Sequence, residues 1–224
     1  DENFSITSLD SINVDTNKSN FKILSSKKNN INHIEITGKR LDAKYILDHM
    51  TSSKPSKVFS KKFFGTISAN LDSVDTGTND DIRDFVLTGT ILNGSFTKLD
   101  ANGIFSKNEK ITIKVAKNKN GNISTYVLSD RARPFMGGYK FIKGFENGKL
   151  EFNSEETSPT SSKGKIIIND FRIKEIPVLA QILSLASFTG ILDTLKGEGI
   201  RFDNTVIVFE NNEKQFTFKD FYGT

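Results

Sequence analysis

The stretch "EKITIKVAKN", residues 109–118, carries the pattern that decides the fold. Its apolar side chains stand at every second position: Ile111, Ile113 and Val115. Successive side chains of a β-strand point to opposite faces, so this alternation predicts a strand with one buried face and one solvated face. The Asn120-Gly121 pair that follows is a strong hairpin-turn signal. Residues 109–129 therefore predict two antiparallel strands.

The same alternation continues in both directions along the chain. Residues 84–106 repeat it, with turn signals at Asn93-Gly94 and Asn102-Gly103, and residues 199–221 predict two strands joined at Asn211-Asn212. Residues 58–71 place several apolar side chains on one parity: Phe59, Phe63, Ile67, Ala69 and Leu71. We find no domain boundary and no tandem repeat. The pattern predicts a single mainly β domain over residues 1–224, with one antiparallel sheet and few helices.

Three segments depart from the strand pattern. Residues 40–50 predict at most a short helix, and residues 131–144 predict a helical turn or loop that ends at Gly137-Gly138. Residues 153–164 are rich in Ser, Thr and Pro. Because strand patterns resume directly after them, we expect a long hairpin loop there and not a linker between domains.

The most apolar segment of the chain runs from Ile176 to Leu195. A membrane-spanning helix needs about twenty predominantly apolar residues, and this segment is interrupted by polar side chains, Pro177 and Gly190. We therefore expect an apolar helix that lies across the greasy face or open end of the sheet; an ordinary core helix of an α+β domain is the alternative. The covering side chains would be Val178, Leu179, Ile182, Leu183, Leu185, Phe188, Ile191 and Leu192.

Composition excludes some classes of protein and leaves others open. The chain is 36% hydrophobic and 26% charged, which is ordinary for a globular protein. Its net charge of +4 is spread along the sequence, whereas a nucleic-acid-binding protein usually concentrates its basic residues on one surface. We expect no nucleic-acid partner. Without cysteine there is no disulfide. The first and last residues suggest a fragment of a longer chain.

Catalytic and metal-binding signals are weak. The only histidines, His33 and His49, have no clustered carboxylates in the sequence around them. The tripeptide Asp75-Thr76-Gly77 occurs in aspartic proteases, but that chemistry needs two carboxylates that share a proton, and one copy is present here. We interpret it as a turn. Residues 100–103 and 118–121 lack the spaced acidic ligands of a calcium loop. The sequence predicts no enzyme, no cofactor and no metal.

Several segments, taken in order, resemble a known family. They are "NDFRI", "IPVLAQILSLAS" and "GILDTLKGEGIRFD" within residues 164–224, preceded by "SDRARPFMGGYKFIKGFENGKLEF" at 129–152 and, more loosely, by "ITGKRLDAKYILD" at 36–48. In this order and spacing they resemble the C-terminal region of the AsmA-like proteins, and in particular the YhdP-type branch of bacterial bridge-like lipid transport proteins. No single motif among them is diagnostic.

The resemblance implies an elongated, twisted antiparallel sheet that forms an open groove. It also implies the periplasmic part of an inner-membrane-anchored protein of Gram-negative bacteria, in which phospholipid acyl chains move toward the outer membrane. The partner would be phospholipid or another acyl lipid, and the membrane anchor would lie outside this segment. The residues expected to line the groove are Phe59, Phe63, Ile67, Ile111, Ile113, Val115, Leu150, Phe152, Phe216 and Phe218.

Alternation leaves a second architecture open. The same side chains would form the core of a closed, sandwich-like fold if another layer covered them. The protein would then be a structural or protein-interaction module that binds no lipid.

Overall fold

The structure is a computed structural model that describes residues 10–50, 59–136, 143–158, 160–175, 199–212 and 215–224. In these residues the chain is mainly β, as predicted, and forms twelve strands. They are β1 (Ser11–Asp15), β2 (Asn20–Lys28), β3 (Ile31–Asp42), β4 (Gly65–Asp75), β5 (Ile82–Leu92), β6 (Ser95–Ser106), β7 (Glu109–Lys117), β8 (Ile123–Ser129), β9 (Lys143–Ser158), β10 (Ser161–Glu175), β11 (Ile200–Asn211) and β12 (Phe216–Gly223). Two short helices accompany them, α1 (Lys44–Met50) and α2 (Arg133–Met136).

All twelve described strands belong to one open sheet, and their order in space is their order in sequence. Neighbouring strands are antiparallel except β3 and β4, which are parallel. The prediction of a wholly antiparallel sheet is therefore wrong at this one place. A parallel pair needs a crossover that returns the chain to the starting end of the sheet, and α1 is part of that crossover. In the described residues β1 and β12 pair with one neighbour each, so the sheet does not close on itself.

Tight turns set the register of the hairpins. Asn93 and Gly94 both have positive φ, at 53° and 73°, and join β5 to β6, which confirms the predicted Asn-Gly hairpin. Asn29 and Asn30 also have positive φ, at 49° and 63°, and join β2 to β3. The predicted hairpin of β7 and β8 is also confirmed, with Ile113 opposite Val127.

Two predicted breaks in the strands are wrong. Asn102-Gly103 lies inside β6, where a Cβ on the glycine would come within 2.3 Å of the Ile82 side chain. This glycine makes room for a neighbouring side chain and does not form a turn. Residues 153–164 are not a long loop, because β9 extends to Ser158 and β10 begins at Ser161. Their Ser and Thr side chains line two paired strands.

The strand ends form two long rims of the sheet. At one rim, β3 ends at Asp42, β4 at Asp75 and β8 at Ser129, and both helices follow these ends; we call it the helix rim. The opposite rim carries the turns that join β2 to β3, β5 to β6, β7 to β8 and β9 to β10; we call it the hairpin rim. At most a short helix had been predicted in 40–50, and a helical turn or loop in 131–144; α1 lies in the first segment and the one-turn helix α2 in the second.

Candidate functional site

One face of the sheet carries an unbroken line of apolar side chains. Residues paired directly across neighbouring strands point to the same face, and following these pairs from β1 to β11 gives an apolar residue on every strand. This apolar row consists of Ile12, Ile23, Ile36, Ala69, Leu87, Ala101, Ile113, Val127, Phe152, Ile166 and Ile207. The backbone register extends it to Phe221 on β12. We call the face that bears it the apolar face.

The rows on either side of the apolar row contain side chains that are more deeply buried than most of the row itself. Toward the helix rim, Leu71 and Ile111 are 1% and 2% exposed, and Leu150 and Ile168 are also buried. Most side chains of the apolar row itself are only half-buried, with Ala101 among the exceptions at 1%. Toward the hairpin rim, Leu99, Val115 and Phe209 are buried as well. Buried side chains thus flank the apolar row on both sides, and the row between them keeps part of its surface accessible.

The two short helices cover the apolar face at the helix rim. Leu47 of α1 packs against the cluster that contains Leu71 and Ile111, and Phe135 of α2 contacts both that cluster and the one around Phe171. The Asp42 carboxylate accepts a hydrogen bond from the Lys44 N–H at 3.1 Å, which satisfies one free donor at the start of α1. The helices thus fix one border of the accessible apolar surface.

An aromatic cluster lies at the hairpin rim of the same face. The Phe59 and Phe63 rings stack with centroids 5.3 Å apart, and Phe59 meets the edge of Phe96 at 5.9 Å. The Phe63 carbonyl accepts a hydrogen bond from the Gly94 N–H at 3.2 Å, which ties this segment to the β5–β6 turn. The apolar face therefore extends to the hairpin rim at β4, β5 and β6.

The opposite face is mostly polar over β2 to β7, with Leu24 and Val86 among the apolar exceptions, and mixed beyond. The next row toward the hairpin rim reads Leu24, Glu35, Ser68, Thr88, Asp100, Lys114, Tyr126, Asn153, Lys165 and Val208. In the C-terminal half, Leu128, Ile167 and Val206 share a row on this face, and Leu128 is 48% exposed. The one-sided pattern thus holds best for β2 to β7.

Most of the predicted lining residues share the apolar face. The register places these on it: Ile67, Ile111, Ile113, Val115, Leu150, Phe152 and Phe218. Phe59 and Phe63 do not continue the parity of Ile67, because β4 begins only at Gly65 and both residues precede it. The strand expected from residue 58 onward is therefore shorter than predicted, and both rings lie at the border of the apolar face. Phe216 pairs with Asn211 in the backbone register.

Sequence reasoning missed more than half of the apolar row. Ile12, Ile23 and Ile36 lie on β1, β2 and β3, and Ala101 sits between Leu87 and Ile113 across the sheet. The alternation in "SINVD" and "NFKILSS" was a signal for the first two. The predicted covering helix, with its apolar side chains between Val178 and Leu192, lies outside the described residues.

The face opposite the apolar row holds the shallow polar depressions. One, of about 430 Å³, is lined by His33, Thr66 and Thr88 among others, and His33 Nδ1 is 2.8 Å from Thr66 Oγ1. Nucleophilic catalysis needs a base that a third group orients, and no described carboxylate forms a hydrogen bond or ion pair with the His33 ring. A second depression of about 400 Å³ is lined by Glu151, Glu155 and Lys163, among others. In the described part of the chain no group of acidic or histidine side chains could hold a metal ion.

Asp75 has a structural role at the helix rim. One carboxylate oxygen accepts a hydrogen bond from the Gly77 N–H at 2.8 Å, and the other pairs with Arg40 at 2.7 Å. The Gly77 hydrogen bond, helped by Arg40, holds the pKa of Asp75 below its ordinary 3.8, although partial burial acts in the other direction. The turn that had been predicted at Asp75-Thr76-Gly77 is confirmed.

We expect acid to destabilise the fold through Asp75 and Glu109. The Ser106 hydroxyl, at 2.6 Å, and Arg131 hold the pKa of Glu109 below its ordinary 4.5. Because both folded-state pKa values are lowered, the stabilisation is complete above the ordinary values and is lost as pH falls through the folded ones. The melting temperature should therefore drop below about pH 4.5, and the double variant Asp75→Asn/Glu109→Gln should flatten that drop. An unchanged pH slope in the variant would contradict this assignment.

Among the described residues no helix is long and apolar enough to cross a membrane. Comparisons of the chain with family models, with curated proteins and with solved structures find no match.

Proposed function

We propose that this chain is a non-enzymatic lipid-handling module of an envelope protein. In this proposal phospholipid acyl chains lie along the apolar face, which forms one wall of a groove. The observation that carries the proposal is the apolar row, which continues through eleven neighbouring strands without a polar interruption. The family resemblance of the sequence supports a periplasmic location between the inner and outer membranes.

The length of the apolar row favours a path for lipid over a pocket for one molecule. Neighbouring strands lie about 4.8 Å apart, so ten spacings give a row of about 48 Å. The hydrocarbon core of a bilayer is about 30 Å thick, so the acyl chains of one leaflet reach about 15 Å. The row is thus about three times as long as the chains of a single lipid.

The energetics suit movement better than storage. Each methylene taken from water onto an apolar surface contributes about 0.8 kcal/mol, so a lipid dissolved in water would bind the face strongly. A lipid in a bilayer is already buried, and its transfer to the face exchanges one apolar environment for another. The net free energy is then small, and lipid can leave the face as readily as it enters.

A structural or protein-interaction module is the second candidate. Leu128, Ile167 and Val206 give the C-terminal strands apolar side chains on the other face as well. Strands that are apolar on both faces usually have packing layers on both sides. A partner protein covering the sheet would explain this part of the sequence without any lipid.

Lipid extraction separates the two candidates. The purified chain should carry phospholipid that mass spectrometry detects after organic extraction, and it should take up a fluorescent phospholipid from donor vesicles. A partner-binding module predicts protein free of lipid and no uptake. Lipid-free protein that also fails to take up the probe would therefore reject the lipid-handling proposal.

A further inference from the structure

The hairpin rim carries unopposed positive charge from β2 to β8. The turns and connecting segment at this rim contribute six lysines and no acidic residue in their described parts: Lys27, Lys28, Lys61, Lys62, Lys117 and Lys119. All six are exposed, and in the described part of the chain none forms an ion pair. The first carboxylate beyond them, Glu155 on β9, accepts hydrogen bonds from Asn118 and Asn122.

The helix rim has the opposite character. Several of its cations stand beside carboxylates: Arg133 Nε lies 2.6 Å from Asp80, Arg131 lies 2.9 Å from Glu109, and Lys174 lies 2.8 Å from Glu146. Much of the charge is therefore neutralised locally at the helix rim, whereas the six lysines of the hairpin rim are left without ion pairs among the described residues. The two rims belong to the same sheet, so this difference gives the molecule a basic side.

Exposed apolar side chains stand among the lysines of the hairpin rim. Phe64 and Leu92 are 41% and 44% exposed. Phe64 precedes Gly65 and Leu92 follows Ile91, the residue paired with Gly65 on the antiparallel neighbour, which places the two side chains opposite each other. The Asn32 side chain donates a hydrogen bond to the Phe64 carbonyl at 2.7 Å, which fixes this position. Lys61 and Lys62 precede Phe64 by three and two residues.

We propose that the hairpin rim docks onto the surface of an anionic phospholipid bilayer. Lysines at the rim would pair with headgroup phosphates, while Phe64 and Leu92 enter the interfacial layer, as cationic and apolar side chains do in peripheral membrane proteins. Five strand spacings separate the β2–β3 turn from the β7–β8 turn, so the basic stretch spans about 24 Å. That span exceeds the Debye length of about 8 Å at physiological salt, so each group of lysines acts on its own headgroups.

A bilayer fits these residues better than a nucleic acid. Single-stranded nucleic acids bind where aromatic faces stack on bases within a basic groove. At this rim the basic residues that carry the proposal are all lysines. The rings of Phe59, Phe63 and Phe96 are half-buried and pack against one another, so they do not present open faces for bases to stack on. Lysine carries a strongly hydrated point charge that suits diffuse attraction to a charged surface.

Vesicle sedimentation tests the proposal. The 224-residue chain should bind vesicles of phosphatidylglycerol mixed with phosphatidylcholine, and it should bind pure phosphatidylcholine far more weakly. Lysines near an anionic surface contribute enough for about a fivefold loss of affinity per lysine removed, so Lys61→Glu/Lys62→Glu should lower binding at least that much. Raising salt to about 1 M should do the same. Phe64→Ser/Leu92→Ser should weaken binding without changing its salt dependence.

Matched variants at the helix rim provide the control. Lys107→Glu/Lys110→Glu makes the same change of charge in exposed residues near carboxylates, and it should leave vesicle binding unchanged. Equal losses from the two lysine pairs, equal binding to neutral vesicles, or tighter lysine-dependent binding to a single-stranded oligonucleotide would overturn the proposal. Lipid carried on the apolar face should persist in Lys61→Glu/Lys62→Glu, so a failure of docking is distinguishable from a failure of the lipid-handling function.

Discussion

Replacing Leu87 by glutamate should remove most of the phospholipid that copurifies with the chain. Leu87 sits in the apolar row between Ala69 and Ala101, and a carboxylate there would have to lose its hydration wherever an acyl chain lies on it. A penalty of only about 1.4 kcal/mol lowers binding tenfold, and burial of an unpaired charge costs more than that. Mass spectrometry of extracted lipid should therefore show at least about a tenfold decrease.

Val86 provides the matched control for this experiment. It precedes Leu87 on β5, is 45% exposed on the opposite face, and pairs with Asn70 and Asn102. Val86→Glu introduces the same charge into polar surroundings and should leave the lipid content unchanged. Circular dichroism must show that both variants remain folded. If Leu87→Glu does not fold, the milder variant Leu87→Ser replaces it in the lipid measurement. Equal lipid content in folded Leu87 and Val86 variants would contradict the lipid-binding role of the apolar row.

Truncating Ile111 to alanine should cause the largest loss of stability among substitutions on β7. This side chain is 2% exposed and packs in the cluster with Leu71 and Ile82. Removing a buried aliphatic side chain leaves a cavity and lowers the free energy of unfolding by about 2–5 kcal/mol. Urea unfolding followed by circular dichroism would measure the change.

Ile113 lies two residues further along the same strand and on the same face. Comparing its substitution with that of Ile111 distinguishes buried core positions from the accessible apolar surface. Ile113 is half-buried in the apolar row, so Ile113→Ala should lower the free energy of unfolding by about 1 kcal/mol. We expect it to reduce lipid uptake more than Ile111→Ala does. Equal destabilisation by the two variants would show that the middle of the apolar face is packed as tightly as the helix rim.

The alternation of the sequence predicted the strands because local physics determines them. Period two in "EKITIKVAKN" and positive-φ residues at Asn93-Gly94 are properties of a few consecutive residues. The parallel pairing of β3 with β4 could not be predicted in this way, because it depends on where a crossover returns to the sheet. Gly103 illustrates the same limit, since Ile82 is twenty-one residues away in sequence but fills the space beside that glycine.

Only part of the candidate site, the apolar face of each separate strand, could be predicted from the sequence. Alternation identifies one face of each strand, so it placed Ile111, Ile113 and Val115 together, but it does not tell which strands are neighbours. The row of eleven apolar residues is a property of the whole register, and it includes Ala101, which has too little side chain to give a signal of its own. The charge separation between the rims also depends on register, because the six lysines lie in segments up to ninety-two residues apart.

Photo-crosslinking at two aromatic positions tests the central claim most directly. Benzoylphenylalanine can replace Phe152, in the apolar row, or Tyr126, half-buried on the opposite face, with little change of shape. After irradiation with phospholipid vesicles, we predict lipid adducts on the chain labelled at position 152 and none on the chain labelled at position 126. No adduct at 152, or equal yields at both positions, would contradict the account.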